Sequence, residues 1–138
     1  MTRAVFVDAC FWIALFQKNS SLHEIAKKLG NYLEGRVVTS EMVLVEFLTS
    51  FAGYSEQMKT QIYLFVRKLQ ESENVEIVPQ TSDLFEEAFN LLENRKDKTW
   101  SLTDCASFLI MEHQGMQEAL TEDVHFEQNN YRALMRAS

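Results

Sequence analysis

The sequence predicts an α/β fold in which a mostly parallel sheet lies between two helical layers. Short strand-like runs recur at Val5-Phe6-Val7, Arg36-Val37-Val38-Thr39, Val75-Glu76-Ile77-Val78 and Glu118-Ala119-Leu120-Thr121. Longer segments with apolar residues at helical spacing separate them, and strands joined by such crossovers pair in parallel. The first run is apolar throughout, which suits a strand covered on both faces.

The elements follow in order. Asp8 ends the first strand, so its carboxylate falls on the sheet's carboxyl edge, where ligands bind in open parallel sheets. Ala9 to Phe16 is apolar nearly throughout and reads as a buried first helix. Ser21-Leu22-His23-Glu24 has capping-box spacing, and Leu22, Ile25, Ala26, Leu29 and Leu33 continue a helix to a stop at Gly35. Ser40 caps the next helix, with Glu41 in its first turn and Val43, Leu44, Phe47, Leu48 and Phe51 facing the core until Gly53. Ser55 opens another, carrying Met58, Ile62, Phe65, Val66 and Leu69 to about Glu71. Pro79 ends the third strand, and Thr81 or Ser82 caps a helix with Leu84, Phe85, Ala88, Phe89 and Leu92. After the polar loop Arg95 to Lys98, Ser101-Leu102-Thr103-Asp104 begins a helix with a hydroxyl at the cap, and Gly115 stops it. The tail from Tyr131 to Met135 forms a last turn or a short strand. No linker divides the chain, so residues 1–138 are expected to form a single domain.

At 138 residues such a domain buries roughly 70% of its unfolded surface and needs no staples. Apolar content of 46% and charged content of 24% are ordinary for a globular protein. The start lacks the pattern of a signal peptide, and no stretch has the roughly 20 apolar residues of a membrane span, so a cytoplasmic protein is expected. Cys10 and Cys105 are then reduced thiols, small buried hydrophobes without a histidine or second cysteine at ligand spacing. The net charge of −7 opposes broad attachment to nucleic acid, which relies on lysine and arginine neutralising phosphates.

The chemistry lies in the acids. Asp8 follows the first strand, Asp123 follows the fourth, Asp104 sits in the first turn of its helix, and Glu46 lies about two turns into the helix after the second strand. Helices in such folds begin at the rim where strands end, so the four side chains can converge. Clustered carboxylates repel, and divalent cations relieve that repulsion; an all-oxygen site suits Mg²⁺ or Mn²⁺ rather than zinc. Taken singly, Asp104 reads first as a charge complementing the helix dipole, while Glu46 could be a solvated residue and Asp123 a turn residue. Asp8 is harder to explain structurally, because a carboxylate directly after a buried strand must find partners or water.

Val5-Phe6-Val7-Asp8, Glu46 within Ser40-Glu41-Met42-Val43-Leu44-Val45-Glu46-Phe47, Ser101-Leu102-Thr103-Asp104-Cys105-Ala106-Ser107-Phe108, and Leu120-Thr121-Glu122-Asp123-Val124-His125-Phe126 resemble, in order, the four blocks of the PIN-domain nucleases. The closest likeness is to the VapC-type toxins of toxin–antitoxin modules. The resemblance implies a three-layer α/β/α sandwich and a metal-dependent ribonuclease. Asp8, Glu46, Asp104 and Asp123 would be the acidic quartet holding one or two Mg²⁺ or Mn²⁺ ions, with Thr121 as a supporting hydroxyl. It also implies a homodimer and a cognate antitoxin whose tail enters the site. The aromatic residues Phe47, Phe51, Tyr54, Tyr63 and Phe65 would supply surface beyond the needs of one core. Where the family often has serine or threonine directly after the first aspartate, this chain has Ala9, and a lost supporting hydrogen bond would weaken metal binding.

The implied reaction is hydrolysis of an RNA phosphodiester, with the acids positioning cation and water. Arg95, Lys96 and Lys98 precede Trp100 on the loop leading to Asp104 and could contact phosphates and stack a base; the loop could equally be solvated with Trp100 on the core. His125 could orient substrate or simply pack. Haloacid-dehalogenase-like phosphatases also end a first strand in Asp, but they place a second acid two residues on, where this chain has Cys10. A second alternative is a catalytically weak PIN-like domain that binds RNA or protein.

Overall fold

The computed structural model describes residues 3–136. Its sheet has five strands, β1 (Val5–Val7), β2 (Val37–Ser40), β3 (Val75–Val78), β4 (Glu118–Leu120) and β5 (Arg132–Ala133), in the order β3-β2-β1-β4-β5. Every neighbouring pair is parallel. The helices are α1 (Ala9–Phe16), α2 (His23–Lys28), α3 (Glu41–Ser50), α4 (Glu56–Glu71), α5 (Ser82–Asn94), α6 (Leu102–His113) and α7 (Val124–Gln128), with a 3-10 segment at Gly30–Glu34. Among the described residues no helix is long and apolar enough to cross a membrane.

Strand order and handedness together sort the helices. Moving from β1 to β2 to β3 with right-handed crossovers puts α1 to α4 on one face. Moving back through β4 to β5 puts α5 to α7 on the other, which gives the three-layer α/β/α sandwich. Side-chain contacts follow that division. Phe16 of α1 packs its ring against Phe47 of α3 and Phe65 of α4, while Phe126 of α7 meets Phe6 of β1 and Phe108 of α6. The central strands β1, β2 and β4 are wholly buried, including Thr39, Ser40 and Glu118, as strands covered on both faces should be. The order reverses direction between β1 and β4, so the crevice beyond their carboxyl ends is the topological switch point.

Four of the serine and threonine caps form as expected. The side chains of Ser40, Ser55, Thr81 and Ser101 accept from the amides of Val43, Met58, Leu84 and Asp104. The capping box expected at Ser21 does not form. The Ser20 hydroxyl instead accepts from the Leu22 amide, and α2 begins at His23 without a side-chain cap. That helix also stops at Lys28, and the chain tightens into the 3-10 segment at Gly30 instead of running on to Leu33, because glycine is costly in a helix interior. α3 ends at Ser50 rather than Gly53, where the Ser50 hydroxyl donates to the Phe47 carbonyl and competes with the helical pattern.

Among the described residues every buried side-chain nitrogen and oxygen has a hydrogen-bond partner. Trp12 Nε1 donates to Thr39 Oγ1 at 3.3 Å, and that hydroxyl donates to the Val7 carbonyl at 2.8 Å, tying α1 to β2 and β1. The aromatic surplus on α3 and α4 is largely a core. Phe47 and Phe51 are fully buried against each other and Phe65 packs on Phe47, which leaves Tyr54 and Tyr63 exposed.

Candidate active site

Each acid reaches the switch point through its own element. Asp8 is the N-cap of α1, where its extended backbone lets Oδ1 accept from the Ala9 amide at 2.9 Å. Asp104 sits at the third position of α6 in a capping box: its Oδ2 accepts from the Ser101 amide, and its own amide donates to Ser101 Oγ. Asp123 caps α7 and accepts from the His125 amide at 2.9 Å. Glu46 enters from α3, its carboxylate near the Thr103 hydroxyl of α6. All four line one open cavity of about 580 Å³, together with Cys10, Ile13, Thr99, Ser101, Glu122, Val124, His125 and Arg136.

Thr121 joins two of the acids through one hydroxyl. Its Oγ1 donates to Asp8 Oδ2 at 2.8 Å and accepts from the Asp123 amide at 3.1 Å. Both Asp8 oxygens are therefore hydrogen-bonded despite Ala9, with the Ala9 amide on one and Thr121 on the other. Cys10, in the first turn of α1, adds a further tie to the segment after β4: Sγ lies 3.4 Å from Thr121 Oγ1 and accepts from the Glu122 amide at 3.4 Å. It is thus a half-buried wall of the site rather than a core hydrophobe, whereas Cys105 is fully buried as expected.

The electrostatics are those of crowded acids. Asp8 is 7% exposed, and its carboxyl is pushed up to about 7, first by burial and then, against the pull of its hydrogen bonds, by Asp104 and Glu46. Burial together with the charge of Asp123 raises Asp104, and desolvation with Asp104 and Asp123 nearby raises Glu46. Burial beside Asp8 pushes the Cys10 thiol up to about 12, so it stays protonated. His125 stands among these acids, with Nδ1 2.9 Å from Asp104 Oδ2 and 3.1 Å from Asp123 Oδ1. Thr99 Oγ1 lies 3.1 Å from its Nε2. A ring nitrogen facing two carboxylates acts as the donor.

Such a donor set fits a hard divalent cation. Four carboxylates open to one cavity supply oxygen ligands, and three are held above their ordinary range, first by burial and then by one another's charge. Asp104, Asp123 and His125 form the tightest group, with ligand-type atoms within 4.8 Å of one another.

Of the two readings of the basic loop, the structure matches the one with Trp100 on the core. Trp100 is 5% exposed, edge-on against Phe108, with Arg95 over its ring and Nε1 donating to Gln128. No ring face remains for a base. Arg95 is held in a two-point ion pair with Asp97, while Lys96 and Lys98 stand on the loop outside the cavity lining. Sequence reasoning missed Cys10, Thr99, Thr103 and Arg136 as parts of the site. Cys10 had a usable signal, two residues after Asp8 on a helix start; Arg136 had none.

A PIN domain family model matches residues 5–130. The 23S rRNA-specific endonuclease VapC20 of Mycobacterium tuberculosis, in strains CDC 1551 / Oshkosh and ATCC 25618 / H37Rv, is 30% identical over 122 residues, covering 88% of this chain and 91% of that protein. The crystal structure of Mycobacterium tuberculosis VapC20, described as a Sarcin-Ricin loop cleaving toxin, superposes with a TM-score of 0.80 at 28% identity, covering 92% of this chain and 95% of that one. With the family's order of acids on an all-parallel sheet, the chain belongs to the PIN domain family and is a VapC-like nuclease.

Proposed function

We propose that residues 1–138 act as a single Mg²⁺- or Mn²⁺-dependent endoribonuclease domain, the toxin of a toxin–antitoxin module. The observation that carries this reading is the convergence of Asp8, Glu46, Asp104 and Asp123 on one cavity at the switch point. These four residues would hold the cation. When bound, it supplies positive charge to the scissile phosphate and leaving group and lowers the pKa of the attacking water.

The surrounding residues keep the acids in place. Thr121 fixes Asp8 and Asp123 relative to each other, and Ser101 fixes Asp104 through the α6 cap. His125 Nδ1 bridges Asp104 and Asp123, and Lys96 and Lys98 on the loop before α6 would contact phosphates farther along the RNA. The named substrate of the relatives makes a ribosomal RNA loop the first substrate to try. A homodimer and an antitoxin would cover exposed apolar side chains such as Val45, Tyr63 and Leu64.

The test is induced expression in a bacterial host, comparing the wild-type chain with Asp8→Asn and Asp104→Asn. Growth arrest by the wild type alone is expected, together with cleavage of ribosomal RNA by the purified protein that EDTA stops and Mn²⁺ restores. Equal arrest by all three would instead favour a binding role.

A further inference from the structure

We propose that Arg136 is a substrate-binding residue of this site, its guanidinium gripping an RNA phosphate beside the four carboxylates. This rests on the ribonuclease reading and deepens it. A cavity lined by Asp8, Glu46, Asp104, Glu122 and Asp123 repels a polyanion, and even a bound cation serves chiefly the phosphate it touches. Among the described residues, Arg136 is the one lysine or arginine in the cavity lining.

Its position is built rather than incidental. β5 pairs with β4 in parallel, and the pairing continues past it, with the Leu134 amide donating to the Ala119 carbonyl and the Met135 amide to the Thr121 carbonyl. Leu134 and Met135 are both 3% exposed, so the tail is anchored by burial as well as by hydrogen bonds. Past β5 the chain turns, the Arg136 amide donating to the Ala133 carbonyl at 3.0 Å, and this turn brings Arg136 to the rim that Asp123 also lines. There Nε donates to Glu127 Oε1 at 3.0 Å and Nη1 to the Glu122 carbonyl at 3.4 Å. A guanidinium has five N–H groups, so these two contacts orient the fork and leave the others for a phosphate. The side chain is 42% exposed, open to a ligand at the cavity mouth.

The experiment measures binding of a labelled sarcin–ricin stem-loop RNA to the Asp104→Asn chain, which serves as a cleavage-impaired parent, by fluorescence anisotropy across a salt series. Arg136→Ala is expected to weaken binding about tenfold and to lower the slope of log affinity against log salt by about one. Arg136→Lys, which keeps the charge, should keep the slope. A structural role would not move the slope, and melting temperatures of the variants report folding separately. Identical affinity and slope for Arg136→Ala, with the parent binding normally, would overturn this inference alone. A wild-type chain that neither binds nor cuts this RNA or whole ribosomal RNA would overturn the ribonuclease reading and the inference with it.

Discussion

At the scale of single residues, Asp8 shows how the site stores unfavourable charge. Its carboxyl titrates near the ordinary 3.8 when unfolded and at about 7 in the folded chain, chiefly through burial. Between those values the folded state binds more protons than the unfolded state, so the metal-free protein loses stability as pH rises through that window. Asp8→Asn removes the cost. Urea denaturation should find this variant more stable than wild type at about pH 8, by on the order of 2 to 4 kcal/mol, with the gap closing towards about pH 4. A gap that does not depend on pH would show that ionisation of Asp8 is not its source. Cation binding works in the opposite direction, since the carboxylates must be ionised to ligate. Mn²⁺ should therefore raise the melting temperature more at about pH 8 than at about pH 5. Thr121→Val removes the hydroxyl shared by Asp8 and the Asp123 amide, and isothermal titration should show Mn²⁺ affinity falling about tenfold or more.

At the scale of elements, the helix starts do double duty. Ser101 caps α6 and also fixes the turn that carries Asp104, so Ser101→Ala is expected to cost about 1 kcal/mol in denaturant melts and to weaken Mn²⁺ binding as well. Losing stability with unchanged Mn²⁺ affinity would separate the cap from the site. The aromatic cluster of α1, α3 and α4 carries a different load. Phe47 is 0% exposed and touches Phe16, Phe51 and Phe65, so Phe47→Ala should cost about 3 to 5 kcal/mol. Phe85 on α5 is 42% exposed, and the same substitution there should cost well under half of that in the same chemical melt.

At the scale of the whole molecule, the net charge of −7 and the proposed affinity for RNA are reconciled by position rather than by composition. The strand order collects acids at one crevice and brings the Arg136 side chain to its edge. The sequence by itself determined what depends on neighbours a few residues away. The strand runs, the caps at Ser40, Ser55 and Ser101, and the placement of acids at strand ends and helix starts were all legible, because periodicity and capping are local. The family resemblance then supplied the grouping of the quartet. The fine structure around it was decided by tertiary contacts. Asp8 and Thr121 are 113 positions apart, and only the adjacency of β1 and β4 brings that hydroxyl to the Asp8 carboxylate. Burial of Trp100, the absorption of Phe47 and Phe51 into the core, and the arrival of Arg136 at the rim depend likewise on which elements pack together. A residue's type sets what chemistry it can do, but strand order sets what stands beside it, and that order is fixed by burial summed over the whole chain.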